Sequence, residues 1–169
     1  MKERTGKYFF ILLLLPFAVL SQFRKVEFGV DGLTCSACSR AVELSIRKLS
    51  FVDSVIMNLE HTNGEIFFKK EEDVSIRKIA DAITDAGFSV RYITVFFNFS
   101  NLSVSDNFCW NYKNQEYLFI KTGSRILNGE FQLKVIGRKY LTKTEMKKWS
   151  TTLKNAKGCN QKNAYYISL

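Results

Sequence analysis

Histidine and proline are almost absent from this chain, at one residue each (His61 and Pro16) in 169. Around the single histidine no candidate Ser-His-Asp or Cys-His set for nucleophilic catalysis is visible in the sequence. A single histidine also leaves the four cysteines, Cys35, Cys38, Cys109 and Cys159, without the histidines that complete many closed zinc sites. No glycine-rich phosphate loop is present. Long runs of one charge are missing too: 25 basic and 16 acidic residues are interspersed, and the dense stretch KKEE at 69–72 cancels itself. A net charge of +9 spread in this way favours anionic surfaces or an acidic partner and is weak grounds for nucleic-acid binding. The chain is therefore read as a binding protein and not as an enzyme.

The longest apolar run, residues 8–20, has 13 residues, where a membrane-spanning helix takes about 20. It follows a basic start, MKERTGK, and precedes a cleavage pattern with Val19 and Ser21 at the −3 and −1 sites. Residues 1–21 are expected to be a signal peptide cut after Ser21, with an uncleaved anchor as the alternative. Cleavage leaves 22 basic against 15 acidic residues, a net +7, on an exported chain with no stable membrane insertion. Export implies an oxidising compartment, where a cysteine that stays free needs a reason.

Periodicity divides the remainder. Val26, Phe28 and Val30 alternate as in a half-buried strand, and Cys38, Val42, Ile46 and Leu49 take helical spacing. A strand over VDSVIMNLE (52–60) turns at Asn63-Gly64, a two-residue hairpin signal, into EIFFKK (65–70). Ile76, Ile79, Ala80 and Ile83 mark a second helix closed by Gly87, and FSVRYITVFF (88–97) is the next strand. This order gives a ferredoxin-like βαββαβ domain over residues 24–97. The Asn- and Ser-rich stretch 98–105 reads as a linker. Residues 106–169 read as a small β-rich domain with one helix, capped by Thr142 and Glu145 and apolar at Met146, Trp149 and Leu153. An open barrel is one form such a unit takes, so the fold class is α+β in two domains.

One motif, GLTCSACS (32–39), points to chemistry. With Cys35 in the loop after the first strand and Cys38 in the first turn of the helix, the thiols converge. The helix's positive end then favours their thiolate forms. Two thiolates with few other donors suit a soft ion of low coordination number, above all Cu(I). A thioredoxin-like dithiol sets a cis-proline against its cysteines, which a chain with Pro16 alone does not supply. A closed zinc site needs four ligands, and His61 sits alone in a hairpin. A Cys35–Cys38 disulfide closes too small a loop to stabilise much, although it can be a resting state. An RNA-binding sheet is disfavoured because Phe67 and Phe68, being adjacent, point to opposite faces. For Cys109 and Cys159, mutual pairing as a disulfide, metal binding and free thiols all remain open. Trp110, Tyr112, Tyr117 and Trp149 read as core and rim aromatics.

From about residue 25 to 95 the sequence resembles the heavy-metal-associated domain family of copper chaperones, metal-transporting ATPases and periplasmic mercury-binding proteins. GLTCSACS is similar to the family's G-M-T-C-x-x-C loop, VDSVIMNLE to its strand ending V-N-L, and IADAITDAGF (79–88) to its second helix. Val42, Ile46, Leu49 and Val52 fall at its core spacing. The resemblance implies a surface bis-thiolate site, Cys35 and Cys38, for one soft ion: Cu(I) first, with Hg(II) and Zn(II) as alternatives. It implies that Leu33, in place of the family's methionine, packs beneath the loop, and that Phe88 flanks it as shield or as core. Thr34 stands where zinc-preferring relatives often carry an acid, which favours Cu(I). The implied partner is a metal-transporting protein or another Cys-x-x-Cys domain, reached by ligand exchange, and the implied compartment is a periplasm. Mercury scavenging, dithiol redox exchange and a plain interaction module are the rival functions.

Overall fold

Alternation makes β1 (Gln22–Asp31) a strand, with Val26, Phe28 and Val30 fully buried on one face. The computed structural model describes residues 22–70, 72–159 and 163–169, so the signal-peptide reading of 1–21 lies outside the described residues. α1 (Ser36–Arg47) lays Val42 and Ile46 on the sheet. β2 (Val52–Asn58) and β3 (Asn63–Phe68) form a hairpin. α2 (Ile76–Asp85) buries Ile76, Ile79 and Ile83 in the same core as α1, and β4 (Ser89–Val104) pairs antiparallel with β1. The strand order β2-β3-β1-β4, with both helices sharing one core, is the ferredoxin-like arrangement expected.

The hairpin does not turn at Asn63-Gly64. Asn58 pairs with Asn63, so the loop is residues 59–62, and Thr62 takes the left-handed conformation at φ 49°. Gly64 lies inside β3, where a Cβ would stand 2.7 Å from the Phe28 ring and 2.8 Å from the Ile56 carbonyl oxygen. Close packing, not turn geometry, requires glycine there.

Residues 98–105 are not a linker. β4 continues to Val104 and pairs with β7 (Arg125–Ile136), with a bulge between Phe99 and Leu102. The Asn and Ser residues there are the outward positions and the bulge of a strand whose Phe97, Phe99 and Val104 are buried. Nor do residues 106–169 make a separate domain. β5 (Cys109–Tyr112), β6 (Gln115–Phe119), β7 and β8 (Tyr165–Ser168) extend the same sheet to eight strands, in the order β2-β3-β1-β4-β7-β8-β6-β5. The sheet is open, with β2 and β5 at its edges, and it is not a second barrel. α3 (Lys143–Asn155) starts as expected, with the Glu145 N–H donating to Thr142 Oγ1 at 3.2 Å. The Glu145 carboxylate goes instead to Lys134 and Lys148, so only half of the capping box forms.

One aromatic core joins the two halves. Phe23 of β1 and Phe97 of β4 meet Tyr112 of β5 edge-on at 5.6 and 4.8 Å, and Phe97 meets Trp110 at 4.8 Å. The far edge of the sheet therefore curls over its inner face. Beyond β5, Lys113 reaches Asp73 at 3.6 Å and the Glu72 carbonyl at 3.1 Å, between β3 and α2. Successive residues of β7 separate the two faces: Val135 joins the core of α1 and α2, while Ile136 joins a second cluster with Leu141, Trp149 and Leu153. α3 thus lies on the opposite face from α1 and α2. Cys109 and Cys159 form a disulfide, with Cα atoms 5.3 Å apart, which settles the three readings left open for them.

Candidate metal centre

β1 ends at Asp31, and Gly32 at φ +89° turns the chain toward α1. A Cβ at Gly32 would touch only the Phe88 ring, at 3.8 Å, so backbone conformation and not space calls for glycine. Leu33 is buried in the main core and anchors the loop from below, while Thr34 is exposed. Cys35 is the N-cap of α1, in an extended conformation, and its sulfur accepts from the Cys38 N–H at 3.3 Å. That is the role a serine or aspartate oxygen usually plays. Cys38, three residues on, is half-buried, and its Sγ lies 2.7 Å from that of Cys35; both are free thiols. The local sequence thus places one sulfur at the open mouth of the helix and the other against the core.

The Cys35 thiol is held below the ordinary thiol range, chiefly by its hydrogen bond with the Cys38 side chain and then by the Cys38 backbone N–H. The Ala37 N–H adds to this, and slight desolvation opposes it. Each of these hydrogen bonds favours the anion. Because the thiolate is the reactive form, the rate of Cys35 alkylation by iodoacetamide is expected to rise at a lower pH than for a free cysteine, whose pKa is about 8.5. Removing the largest cause in Cys38→Ala should move that midpoint upward. Mass-spectrometric rates against pH check this, and an unmoved midpoint would contradict the assignment.

Phe88 follows α2, with its N–H on the Ile83 carbonyl at 3.2 Å and its ring half-buried against the main core beside Gly32. Core packing and loop flanking are therefore one role. Arg91 is a residue that sequence reasoning missed. It donates to Thr62 Oγ1 at 2.8 Å and to the His61 carbonyl at 2.7 Å, and stands 3.9 Å from the Asp31 carboxylate. With the Val30 N–H on the Thr62 carbonyl at 3.0 Å, it ties the β2–β3 loop beside the base of the metal loop. An arginine within a strand pattern carries no sequence signal of such a tie. His61 is exposed and uses its backbone here. Among the described residues no histidine or carboxylate joins Cys35 and Cys38 as a third donor. A grouping of three possible donors among the described residues, Cys109, Glu116 and Cys159, has both sulfurs committed to the disulfide.

Residues 27–89 match a family model described as the heavy-metal-associated domain. The chain is 41% identical over 61 residues to the copper chaperone CopZ of Bacillus subtilis (strain 168), covering 36% of this chain and 87% of the chaperone. It is 33% identical over 78 residues to the copper-transporting ATPase RAN1 of Arabidopsis thaliana, covering 44% of this chain and 7% of the ATPase. Among solved structures, oxidized MerP from Ralstonia metallidurans CH34 aligns at 33% identity over 42% of this chain and 97% of its own, with a TM-score of 0.36. The chain thus spans most of the small chaperone and a minor part of the transporter.

Proposed function

Because the chain belongs to the heavy-metal-associated domain family through residues 27–89, we propose that it is a metal-binding protein that captures one Cu(I) ion between Cys35 and Cys38 and hands it on by ligand exchange. The observation that carries this reading is the meeting of two free sulfurs at an exposed helix N-terminus. Two thiolates with no third donor beside them among the described residues suit a soft ion of low coordination number. Metal–sulfur bonds are about 2.3 Å for zinc, so two sulfurs sharing an ion of that size stand roughly 3.8 to 4.6 Å apart. The pair, at 2.7 Å, must therefore part on loading. Cys35 is exposed and can swing outward, while Cys38 is packed against the core and stays. The names of the relatives, a copper chaperone and a copper-transporting ATPase, favour copper over mercury or zinc.

Transfer exchanges one bond for another. An incoming thiolate from a metal-transporting protein or a second Cys-x-x-Cys domain bonds to the ion, making it three-coordinate. The outward Cys35 bond then breaks, a second thiolate of the acceptor bonds in its place, and the Cys38 bond breaks last, so two bonds form for two broken with no change in oxidation state. The receding thiolates can take up protons at the mouth of the site. The basic start and apolar run of residues 1–20 support export as the setting, and the periplasm as its destination rests on the family resemblance alone.

The test is an anaerobic Cu(I) titration against a competing chelator, with Cys35 and Cys38 reduced and the Cys109–Cys159 bond intact. One equivalent should be withdrawn from the chelator by the natural chain and none by Cys35→Ser/Cys38→Ser. If the natural chain withdraws none, the copper reading fails and a mercury titration replaces it.

A further inference from the structure

Every helix on the inner face is embedded: α1 and α2 both carry fully buried residues. α3, at 13 residues, has none. Its apolar residues Met146, Trp149 and Leu153 are all only half-covered. Trp149 and Leu153 rest on the outer cluster, while Met146 and Leu153, together with Leu141, line an open groove of about 700 Å³ beside the helix. The groove's charged residues are all of one sign: Arg138, Lys143, Lys147 and Lys154. Among the described residues none of the four makes an ion pair. The single acid of α3, Glu145, is already held by Lys134 and Lys148.

The net charge of residues 22–169 lies in the stretch of sequence that carries this helix. Residues 134–157 hold eight lysines and arginines against Glu145, while the rest of residues 22–169 holds fourteen of each sign. The excess that looks diffuse along the sequence therefore lies in one stretch, of which Lys139 turns to Asp81 of α2 while Arg138, Lys143, Lys147 and Lys154 line the groove.

We propose that this groove is a docking site for an acidic amphipathic helix of a partner protein. A 13-residue helix is about 20 Å long, and a second helix packs beside one at 8–10 Å between axes. A partner helix lying along α3 would complete a pair on the outer face, matching α1 and α2 on the inner one. Its apolar row would cover Leu141, Met146 and Leu153, and its carboxylates would meet Arg138 and the three lysines. A bilayer fits less well, because interfacial helices present their apolar groups as the outermost surface. Here those groups floor a recess behind a cationic rim. Since α3 and the metal loop lie on opposite faces, the docked helix leaves Cys35 and Cys38 accessible. The site is independent of which ion they bind.

The probe is a synthetic helix with leucines at i, i+3, i+4 and i+7 and glutamates on its other face, titrated into the isotope-labelled full chain. The amides of Leu141, Met146, Ser150 and Leu153 should shift and saturate, with affinity falling as salt rises. Lys143→Glu/Lys147→Glu/Lys154→Glu should weaken binding by at least about tenfold, as should scrambling the peptide at constant composition. The same charge change made elsewhere, in Lys48→Glu/Lys69→Glu/Lys70→Glu, should leave it within about twofold. Spectra of the free variants show whether each is folded. Equal binding of the scrambled peptide, equal loss in both triple variants, or binding to phosphatidylglycerol vesicles without binding to the peptide would each overturn the proposal.

Discussion

Phe97→Ala is expected to destabilise the chain by about 3–5 kcal/mol and to leave a single unfolding transition. The Phe97 side chain is fully buried, with ring centroids of Phe99, Trp110, Tyr112 and Phe23 between 4.6 and 5.2 Å away. Those rings come from the neighbouring inner strands β1 and β4 and from the edge strand β5. Truncation therefore opens a cavity where the halves meet, and neither half can collapse into it without losing contact with the other. Denaturant unfolding followed by tryptophan fluorescence and by far-UV circular dichroism should give coincident midpoints for the natural chain and for the variant. Two separated midpoints, with only one displaced, would show two independent domains and contradict the shared core.

Replacing both disulfide cysteines, in Cys109→Ala/Cys159→Ala, is the other change of large effect. The bond closes a separation of 50 residues, for which the chain-entropy relation gives about 4 kcal/mol. That is a large part of the 5–15 kcal/mol that holds a typical domain together. The bond ties the edge strand β5 to the segment that follows α3, so its loss should loosen the outer half first. The check is the denaturant midpoint of the variant against the natural chain, both in the Cys35→Ser/Cys38→Ser background. A shift below about 1 kcal/mol would mean that the loop is already restrained in the unfolded chain. For the copper titration the bond sets a practical limit, since a reductant strong enough to open it would unsettle the protein being measured.

The half of the fold that could be read from the sequence is the half with strong local periods. Ile76, Ile79, Ala80 and Ile83 leave little choice but a helix, and Cys35 with Cys38 behind Gly32 fixes a helix-capping loop. What misled was polarity without context. Asn98, Ser100, Asn101 and Ser103 have the composition of a linker because they face outward or sit at a bulge, while the neighbours that bind the strand are Phe97, Phe99 and Val104. Asn63-Gly64 has the composition of a turn, but Gly64 answers to the Phe28 ring from another strand. The disulfide and the tie made by Arg91 depend on pairings between distant segments. Local pattern carries no information about those.

The position of β8 has a consequence for the order in which the molecule is made. β8 pairs antiparallel with β7 on one side and parallel with β6 on the other, so the β5–β6 ribbon joins the sheet through the last of the eight strands to be synthesised. A chain released N-terminus first has β1 to β4 available while β7 presents an open edge and Phe97 and Phe99 lack their covering rings. During that interval an unpaired strand edge stands beside bare aromatic surface, the combination most prone to joining another copy. The wait ends when Tyr165–Ser168 slots between its neighbours, so changes in these four residues should be felt as lost yield before they are felt as lost metal affinity.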